Sequence, residues 1–259
     1  MALERLLYAT NLGEPKSSLL ESLLETTKVG LREVVFLHTG GKIMAERYSQ
    51  EWQPRLSGSG AKVWAHGEEG NLVASILRVA AGNSFSLVAA EFSIDGTRAV
   101  SRRDSRRLVK GLTVPVLIAR RAKEMARPPA AGVFDHLVFA TDWSPASERA
   151  ASFIQGLNGL AKEMDIVNVI QKKLTVGEMR GLKKKLQDTR RMFSSQGIDA
   201  EFHIYAGRTA EEIMLAARDY HATLIVMGNS RKAAVRKLFP GRTVYKVAEE
   251  TTVPALFVP

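Results

Sequence analysis

Residues 70–93 and 207–230 decide the fold, because they are two copies of one pattern. The first copy reads GNLVASILRVAAGNSFSLVAAEFS, the second reads GRTAEEIMLAARDYHATLIVMGNS, and they align without a gap at an offset of 137. Each copy begins with glycine, continues with apolar residues at helical spacing and ends in an apolar run typical of a buried strand. The repeat predicts the same helix and strand in both halves of the chain.

Two further blocks repeat in the same order, one on either side of this stretch. Leu6–Asn11 matches Leu137–Asp142 at an offset of 131, and Thr113–Pro115 matches Thr252–Pro254 at an offset of 139. Three blocks in one order, with a slowly growing offset, indicate the duplication of a whole domain rather than a short solenoid repeat.

The duplication divides the chain into two predicted domains, residues 1–122 and residues 134–259. The seam, residues 123–133, contains Pro128, Pro129 and Gly132 and is typical of a linker.

Each half alternates strands with helices. In the second half, five short segments with strand character alternate with four helical segments; the strands are 137–141, 166–170, 201–205, 223–227 and 253–258, and the helices are 147–163, 178–195, 209–220 and 243–250. This alternation implies βαβ units with right-handed crossovers and a mostly parallel sheet. We therefore predict two tandem, doubly wound, Rossmann-like α/β domains that superimpose as separate five-stranded parallel sheets.

The composition is that of an ordinary globular protein with a moderate basic excess. The net charge of +10 is spread over both halves, with +5 in residues 1–122 and +4 in residues 134–259. Such a spread is typical of a solvated basic surface, and we predict no nucleic-acid partner. Cysteine is absent, and no apolar run approaches the ~18 residues that a membrane span needs. We expect a cytoplasmic protein with no membrane attachment.

The strand-end motifs resemble those of the universal stress protein family. The carriers are Leu137–Ser144, which resembles that family's first strand and terminal Asp, Leu224–Gly228, which resembles its fourth strand, and Thr252–Val258, which resembles its closing strand. The resemblance covers nearly all of both halves. It implies strand order 3-2-1-4-5 in each, with a reversal between the first and fourth strands. Ligands of open α/β sheets bind at such a reversal, and Asp142 and Gly228 end the two strands concerned.

Members of that family that bind ATP carry a loop of the form G-x2-G-x9-G-[ST]. Here two glycines, Gly228 and Gly241, stand at the right separation, while Arg231 replaces the middle glycine and Arg242 takes the Ser/Thr position. The two arginines either neutralise phosphates or obstruct the site. The resemblance implies an adenine nucleotide (ATP, ADP or AMP) in the second half, bound by Thr141, Asp142, Val169, Met227, Gly228, Ser230, Arg231, Gly241, Arg242 and Thr243.

The corresponding site of the first half has lost these features. Asn11 replaces the strand-end Asp, and Glu91 stands at the position of Gly228. Because a carboxylate repels phosphate, we predict that the first half does not bind ATP in the family manner. The five histidines have no helical spacing, and no carboxylate cluster joins them, so we predict no metal site. No catalytic residues are predicted.

Three functions are compatible with these observations. The first is a regulatory stress-response module that binds an adenine nucleotide without fast turnover, and the second is a nucleotide-independent interaction scaffold with an unidentified protein partner. The third is an adenylyl transferase, for which Asp142 alone supplies neither a base nor a metal site. Because family domains commonly dimerise through their last strands, we predict that Val114–Ala119 pairs with Val253–Val258 in an intramolecular pseudo-dimer. Association of two chains is left open.

Overall fold

The computed structural model describes residues 3–15, 17–93, 100–121, 132–157, 159–230 and 242–259. The first half alternates strands and helices in the order β1 (Arg5–Thr10), α1 (Ser18–Leu24, continued by a 3-10 turn over Glu25–Val29), β2 (Glu33–His38), α2 (Lys42–Ser57), β3 (Lys62–Gly67), α3 (Leu72–Ala81), β4 (Leu87–Ser93), α4 (Arg102–Gly111) and β5 (Val116–Arg121). No helix in the described ranges is both long and apolar enough to cross a membrane.

The second half repeats this order. Its elements are β6 (His136–Ala140), α5 (Pro145–Gln155), β7 (Glu163–Ile170), α6 (Val176–Ser194), β8 (Asp199–Ala206), α7 (Thr209–Asp219), β9 (Leu224–Gly228), α8 (Arg242–Glu250) and β10 (Ala255–Val258). Helix α5 is shorter than the sequence predicts. It ends at Gln155 because Gly156 is the C-cap and Gly159 adopts a positive φ of 81°, a conformation that favours glycine.

Both halves have the predicted strand order. The first half is arranged as β3-β2-β1-β4-β5 and the second, read in mirror order, as β10-β9-β6-β7-β8. Every pairing within a half is parallel. The order therefore reverses between β1 and β4 in the first half and between β6 and β9 in the second, and the predicted fold class is confirmed in both.

The prediction of two separate sheets is wrong. The closing strands β5 and β10 pair antiparallel, with Leu117 opposite Leu256, and join the halves into one ten-stranded sheet. An unpaired closing strand leaves a row of backbone N–H and C=O groups at a sheet edge. Pairing the two closing strands satisfies these groups, as predicted for the segments 114–119 and 253–258.

The two faces of this sheet bury two apolar cores, and each core contains residues from both halves. Tyr8 and Phe139 belong to the core under α1, α2, α5 and α6. Leu7 and Phe257 belong to the core under α3, α4, α7 and α8. Parallel sheets are stable when both faces are covered in this way. Burial is thus continuous across the junction between the halves.

Polar contacts across the junction cap helix ends. The side-chain amide of Asn229, just after β9, donates to the carbonyl of Val109 in α4 at 2.8 Å. From β5, the guanidinium of Arg120 donates to the carbonyls of Ala248 and Glu249 at the end of α8, the latter at 2.7 Å. Because the last carbonyls of a helix have no partner within it, each contact satisfies groups of the opposite half.

The predicted linker, residues 123–133, lies almost entirely outside the described residues. At its end, the Val133 amide donates to the Ser22 hydroxyl of α1 at 2.9 Å, and Val133 is buried. The second half thus begins in contact with the first.

Candidate functional site

The carboxyl ends of β6 and β9 meet where the strand order of the second half reverses. Ala140 lies opposite Met227 in the register, so that Thr141 and Gly228 continue the two strands side by side. The Asn168 side chain, from the neighbouring β7, donates to the Thr141 carbonyl at 2.8 Å. This is the place that the topology selects for a ligand.

Asp142 follows directly and presents its carboxylate at this strand end. Its Oδ1 accepts hydrogen bonds from the Ser144 amide at 3.0 Å and the Ser147 hydroxyl at 2.6 Å. Partial burial raises the pKa of Asp142, but these hydrogen bonds outweigh it, so the net pKa lies below the usual value. Within the described part of the chain, no group donates to Oδ2. Asp142 is therefore an exposed, ionised carboxylate with one oxygen held and the other open.

Gly228 lies against the first turn of α5. A Cβ at this position would stand 2.2 Å from the carbonyl carbon of Ala146 and 2.4 Å from the amide nitrogen of Ser147. No real Cβ contact is that short, so only glycine lets α5 pack this closely on β9. The side chain of Ser147 holds Asp142 and its backbone borders Gly228, which links the two predicted residues. The sequence does not single out Ser147 as a site residue, but the spacing of Ser144 and Ser147 is typical of a helix N-cap. The N-cap hydroxyl of Ser144 accepts a hydrogen bond from the Ser147 amide.

Trp143 completes the connection between β6 and α5. It has a φ of 54°, a left-handed conformation that is rare for a bulky residue. Its indole N–H donates to the Thr189 hydroxyl of α6 at 3.1 Å, and the Lys185 ammonium lies 5.4 Å from its ring. These contacts hold a strained backbone in place beside Asp142, as is common where a loop supports a site.

The other predicted residues fall into two groups. Met227 is buried in the core under α7 and α8, and Val169 is half-buried against the same core. Ser230 and Arg242 are exposed, and Thr243 is half-buried in the first turn of α8.

Two predicted residues, Arg231 and Gly241, lie outside the described residues. The described chain therefore contains only the two ends of the predicted nucleotide loop.

The first half fills the equivalent position with its own side chain. Glu91, opposite Thr10 in the register, is only 5% exposed and accepts hydrogen bonds from the hydroxyls of Tyr8 and Ser17. Burial raises the pKa of Glu91 above its usual value, although those two hydroxyls and Arg121 act in the opposite direction. A buried carboxyl thus stands where the second half has Gly228.

The loop after β1 is fixed by aromatic and imidazole groups from β2 and α2. Tyr48 donates to the carbonyls of Leu12 and Glu14, the latter at 2.5 Å, and Trp52 donates to the carbonyl of Pro15 at 2.7 Å. A ring nitrogen of His38 also lies 2.7 Å from the Leu12 carbonyl oxygen. The first half therefore packs this loop as part of its core.

A second polar cluster lies away from the strand reversal, and the sequence did not predict it. Asp165 in β7 contacts two histidines from the neighbouring strands: His136 Nε2 at 2.7 Å from Oδ2 and His203 Nε2 at 2.8 Å from Oδ1. The prediction that no carboxylate cluster joins the histidines is therefore wrong, because Asp165 and Glu201 lie together beside His203. His136 and His203 are far apart in the chain, and strand pairing alone brings them to one carboxylate.

The comparisons with known proteins agree with this architecture. Residues 134–259 match the model of the universal stress protein family. No curated protein matches the chain significantly.

Solved structures match over nearly the whole length. A universal stress protein from Archaeoglobus fulgidus DSM 4304 is 19% identical, covers 98% of this chain and 95% of its own, and has a TM-score of 0.64. A putative universal stress protein from Pseudomonas aeruginosa UCBPP-PA14 is 14% identical, with 99% and 93% coverage and a TM-score of 0.68. A functionally unknown protein from P. aeruginosa PAO1 has a TM-score of 0.67 at 14% identity, with 98% and 92% coverage. At these identities the likeness shows a shared fold over both halves. Residues 134–259 therefore form a domain of the universal stress protein family.

Proposed function

We propose that this chain is a cytoplasmic stress-response regulator whose second half binds one adenine nucleotide, ATP, ADP or AMP, without fast turnover. The observation that carries the proposal is the open carboxylate of Asp142 beside Gly228 at the β6–β9 reversal. In this proposal, residues 1–122 and 134–259 are two domains joined by the linker and act as an intramolecular pseudo-dimer.

The Asp142 carboxylate suits the sugar or base of a nucleotide. Its free Oδ2 accepts a hydrogen bond from a ribose hydroxyl or an adenine amino group, while Ser144 and Ser147 hold Oδ1. Val169, half-buried at the end of the adjoining strand, contributes an apolar wall for the base.

The phosphates belong on the other side, between Ser230 and the start of α8. Free N–H groups and the helix dipole at such a position favour an anion. The Arg242 guanidinium is exposed there, and Arg231 and Gly241 complete the proposed phosphate loop.

Fast phosphoryl or adenylyl transfer is not part of this function, because the proposed site offers few groups that could catalyse it. Among the predicted site residues that the structure describes, Asp142 is the carboxylate, and its low pKa and hydrogen bonds make it a weak base. A single weak base without a metal-binding partner does not supply rapid phosphoryl or adenylyl transfer.

Calorimetric titration with ATP, ADP and AMP tests the proposal, with at most one site per chain expected. Arg231→Gly restores the family pattern and decides the role of that arginine. If the guanidinium clamps phosphate, the variant binds more weakly. If the guanidinium obstructs the site, the variant gains affinity over the wild type. Binding by neither protein contradicts the proposal and leaves the nucleotide-independent scaffold.

A further inference from the structure

The polar cluster around Asp165 lies on the α7 face of the sheet, near the amino ends of β6, β7 and β8. The strand reversal lies at the carboxyl ends, so the cluster is separate from the proposed nucleotide site. The Asp165 side chain is 8% exposed, and those of His136 and His203 are 21% and 20% exposed. The cluster is therefore shielded but reachable from solvent.

Glu201 brings a second carboxylate to this place. It lies directly opposite Asp165 in the register of β7 and β8, and is exposed. A carboxylate oxygen of each, together with a ring nitrogen of His203, lie within 4.8 Å of one another. Like charges directly opposite each other destabilise a sheet. Within the described ranges, Glu201 makes no ion pair that offsets this repulsion. A cation between the two carboxylates removes it.

The other side of His203 has the environment of a metal ligand. Its Nδ1 lies 3.0 Å from the Tyr220 hydroxyl, and the two rings stack with centroids 4.3 Å apart. Without metal, Nε2–H donates to Asp165 Oδ1 and the Tyr220 hydroxyl donates to Nδ1. When a metal ion takes the place of the Nε2 proton, the ring adopts the other tautomer, in which Nδ1–H donates to Tyr220 and the Nε2 lone pair binds the ion. Metal-binding histidines are oriented in this way by a partner on their second nitrogen.

We propose that Asp165, Glu201 and His203 bind a first-row divalent transition-metal ion, for which Zn²⁺ is the appropriate probe. His136 acts as a positioning residue, because its Nε2 contacts Asp165 Oδ2 and leaves Oδ1 for the metal. The remaining coordination positions take water through the exposed side of Glu201.

The donor set and its spacing select the ion. Imidazole nitrogen suits Zn²⁺, Co²⁺ and Ni²⁺, whereas Mg²⁺ and Ca²⁺ prefer oxygen ligands alone. Ligands about 2.0–2.2 Å from Zn²⁺ stand ~3.3–3.6 Å apart in tetrahedral geometry. The His203 Nε2 to Asp165 Oδ1 distance of 2.8 Å therefore opens slightly when the ion enters, which the exposed Glu201 side permits.

The experiment uses the untagged full-length protein, stripped with a chelator and titrated with ZnCl₂ by calorimetry. One site per chain is expected, together with a rise in Tm. Glu201→Gln removes one ligand at an exposed position without touching the contacts between Asp165 and the histidines. We expect its Zn²⁺ affinity to fall at least ~10-fold. In the absence of metal its Tm is expected to rise, because the repulsion is gone.

His66→Gln is the matched control. His66 Nε2 lies 2.9 Å from Glu68 in another exposed histidine–carboxylate pair, and its replacement is expected to leave Zn²⁺ binding unchanged. Co²⁺ added to the stripped wild type is expected to give the visible absorption of a low-coordinate site, and Glu201→Gln to lose it. Either of two results overturns the proposal: no binding of Zn²⁺ or Co²⁺ by the wild type, or equal affinities in the wild type and Glu201→Gln.

Discussion

The two halves treat the same strand reversal in opposite ways. In the second half a glycine at the end of β9 lets α5 pack closely, and the carboxylate of Asp142, two residues after β6, is exposed to solvent. In the first half the carboxylate is that of Glu91, which lies in β4 at the position equivalent to Gly228 and is buried. Asn11 takes the place of Asp142. One half has an open polar group at its strand reversal, and the other has filled the equivalent position with its own side chain.

Loop length explains how one fold permits both arrangements. Thr10 and Thr141 are equivalent and 131 residues apart, whereas the N-cap residues Ser17 and Ser144 are only 127 apart. The loop after β1 is thus four residues longer than the loop after β6. In the longer loop the N-cap hydroxyl binds Glu91, and in the shorter one it stands beside Asp142. Duplication therefore preserved the sheet and changed the connection at the site.

The largest expected effect comes from giving Gly228 a side chain. Gly228→Ala is expected to destabilise the protein by at least about 3 kcal/mol, the upper end of the usual cost of overpacking, because its Cβ meets the backbone of Ala146. Gly181→Ala, in α6 with no atom within 4 Å of its Cβ, is the control and is expected to stabilise by about 0.5–1 kcal/mol. Urea denaturation measures both. Equal stability of Gly228→Ala and the wild type would show that the packing of α5 does not depend on this glycine.

The same clash arises in Gly228→Glu. Gly228→Glu does not copy the first half, because Glu91 is accommodated only with its longer loop and with Tyr8 and Ser17 as donors. A loss of nucleotide binding in Gly228→Glu would therefore report a disturbed fold.

The junction between the halves gives the next effect. Arg120→Met removes the donors that satisfy the Ala248 and Glu249 carbonyls at the end of α8. Hydrogen bonds to a charged group contribute roughly 1.5–3 kcal/mol, so we expect a loss of about 2 kcal/mol. Arg103→Met, an exposed arginine in α4, is the control. Because position 259, the repeat equivalent of Arg120, is proline, this contact is one-sided. An unchanged denaturation midpoint would show that the Arg120 contact does not help to hold the halves together.

Glu91 gives a smaller effect with a defined pH dependence. Its pKa is raised in the folded state by burial. The wild type therefore loses stability as the pH rises from the ordinary value of about 4.5 through the folded pKa. Glu91→Gln does not ionise and is expected to be more stable by about 1 kcal/mol at neutral pH, the low end of the cost of burying a polar group.

The gain from Glu91→Gln is expected to vanish below about pH 4.5, where the glutamate is protonated in both the folded and unfolded states. Thermal denaturation across pH 4–8 measures this difference. Glu14→Gln, at an exposed position in the loop after β1, is expected to change stability little at any pH. A gain that persists at low pH would contradict the ionisation argument.

Much of this architecture follows from local sequence patterns. Continuous apolar runs such as Leu224–Met227 and the repeat itself predict the strands, and the resemblance to a family predicts their order. The prediction of two separate sheets was wrong, although the pairing of the closing strands, which joins the halves into one sheet, was predicted. The buried environment of Glu91 could not be predicted, because it depends on Tyr8 and Ser17 reaching it across the fold.

The cluster around Asp165 was missed for a related reason. Its three strands are distant in sequence, and helical spacing, the pattern used to look for metal ligands, does not apply to residues on different strands. A usable signal was present in β8, where polar and apolar residues alternate along the strand. This alternation places Glu201 and His203 on the same face of the sheet. A second signal was Asp165, an acidic residue among the apolar residues of the buried strand β7.

The smallest expected effect on stability tests whether Asp142 binds a ligand or only supports its loop. Asp142→Asn gives the second half the residue of the first, Asn11. The amide oxygen of Asn still accepts from Ser144 and Ser147, so we expect a loss of only about 0.5 kcal/mol at neutral pH, the low end for a hydrogen bond. Because the pKa of Asp142 is lowered in the folded state, its charge contributes stability above the ordinary carboxyl pKa. That contribution, and with it the difference in stability from Asp142→Asn, is lost as the pH falls through the pKa of Asp142 in the folded state.

The nucleotide affinity of Asp142→Asn, measured by calorimetry, is expected to fall ~10–150-fold, since losing a charged hydrogen bond costs roughly 1.5–3 kcal/mol. A large loss of stability with unchanged affinity would assign Asp142 to the loop and remove the main difference between the two strand reversals.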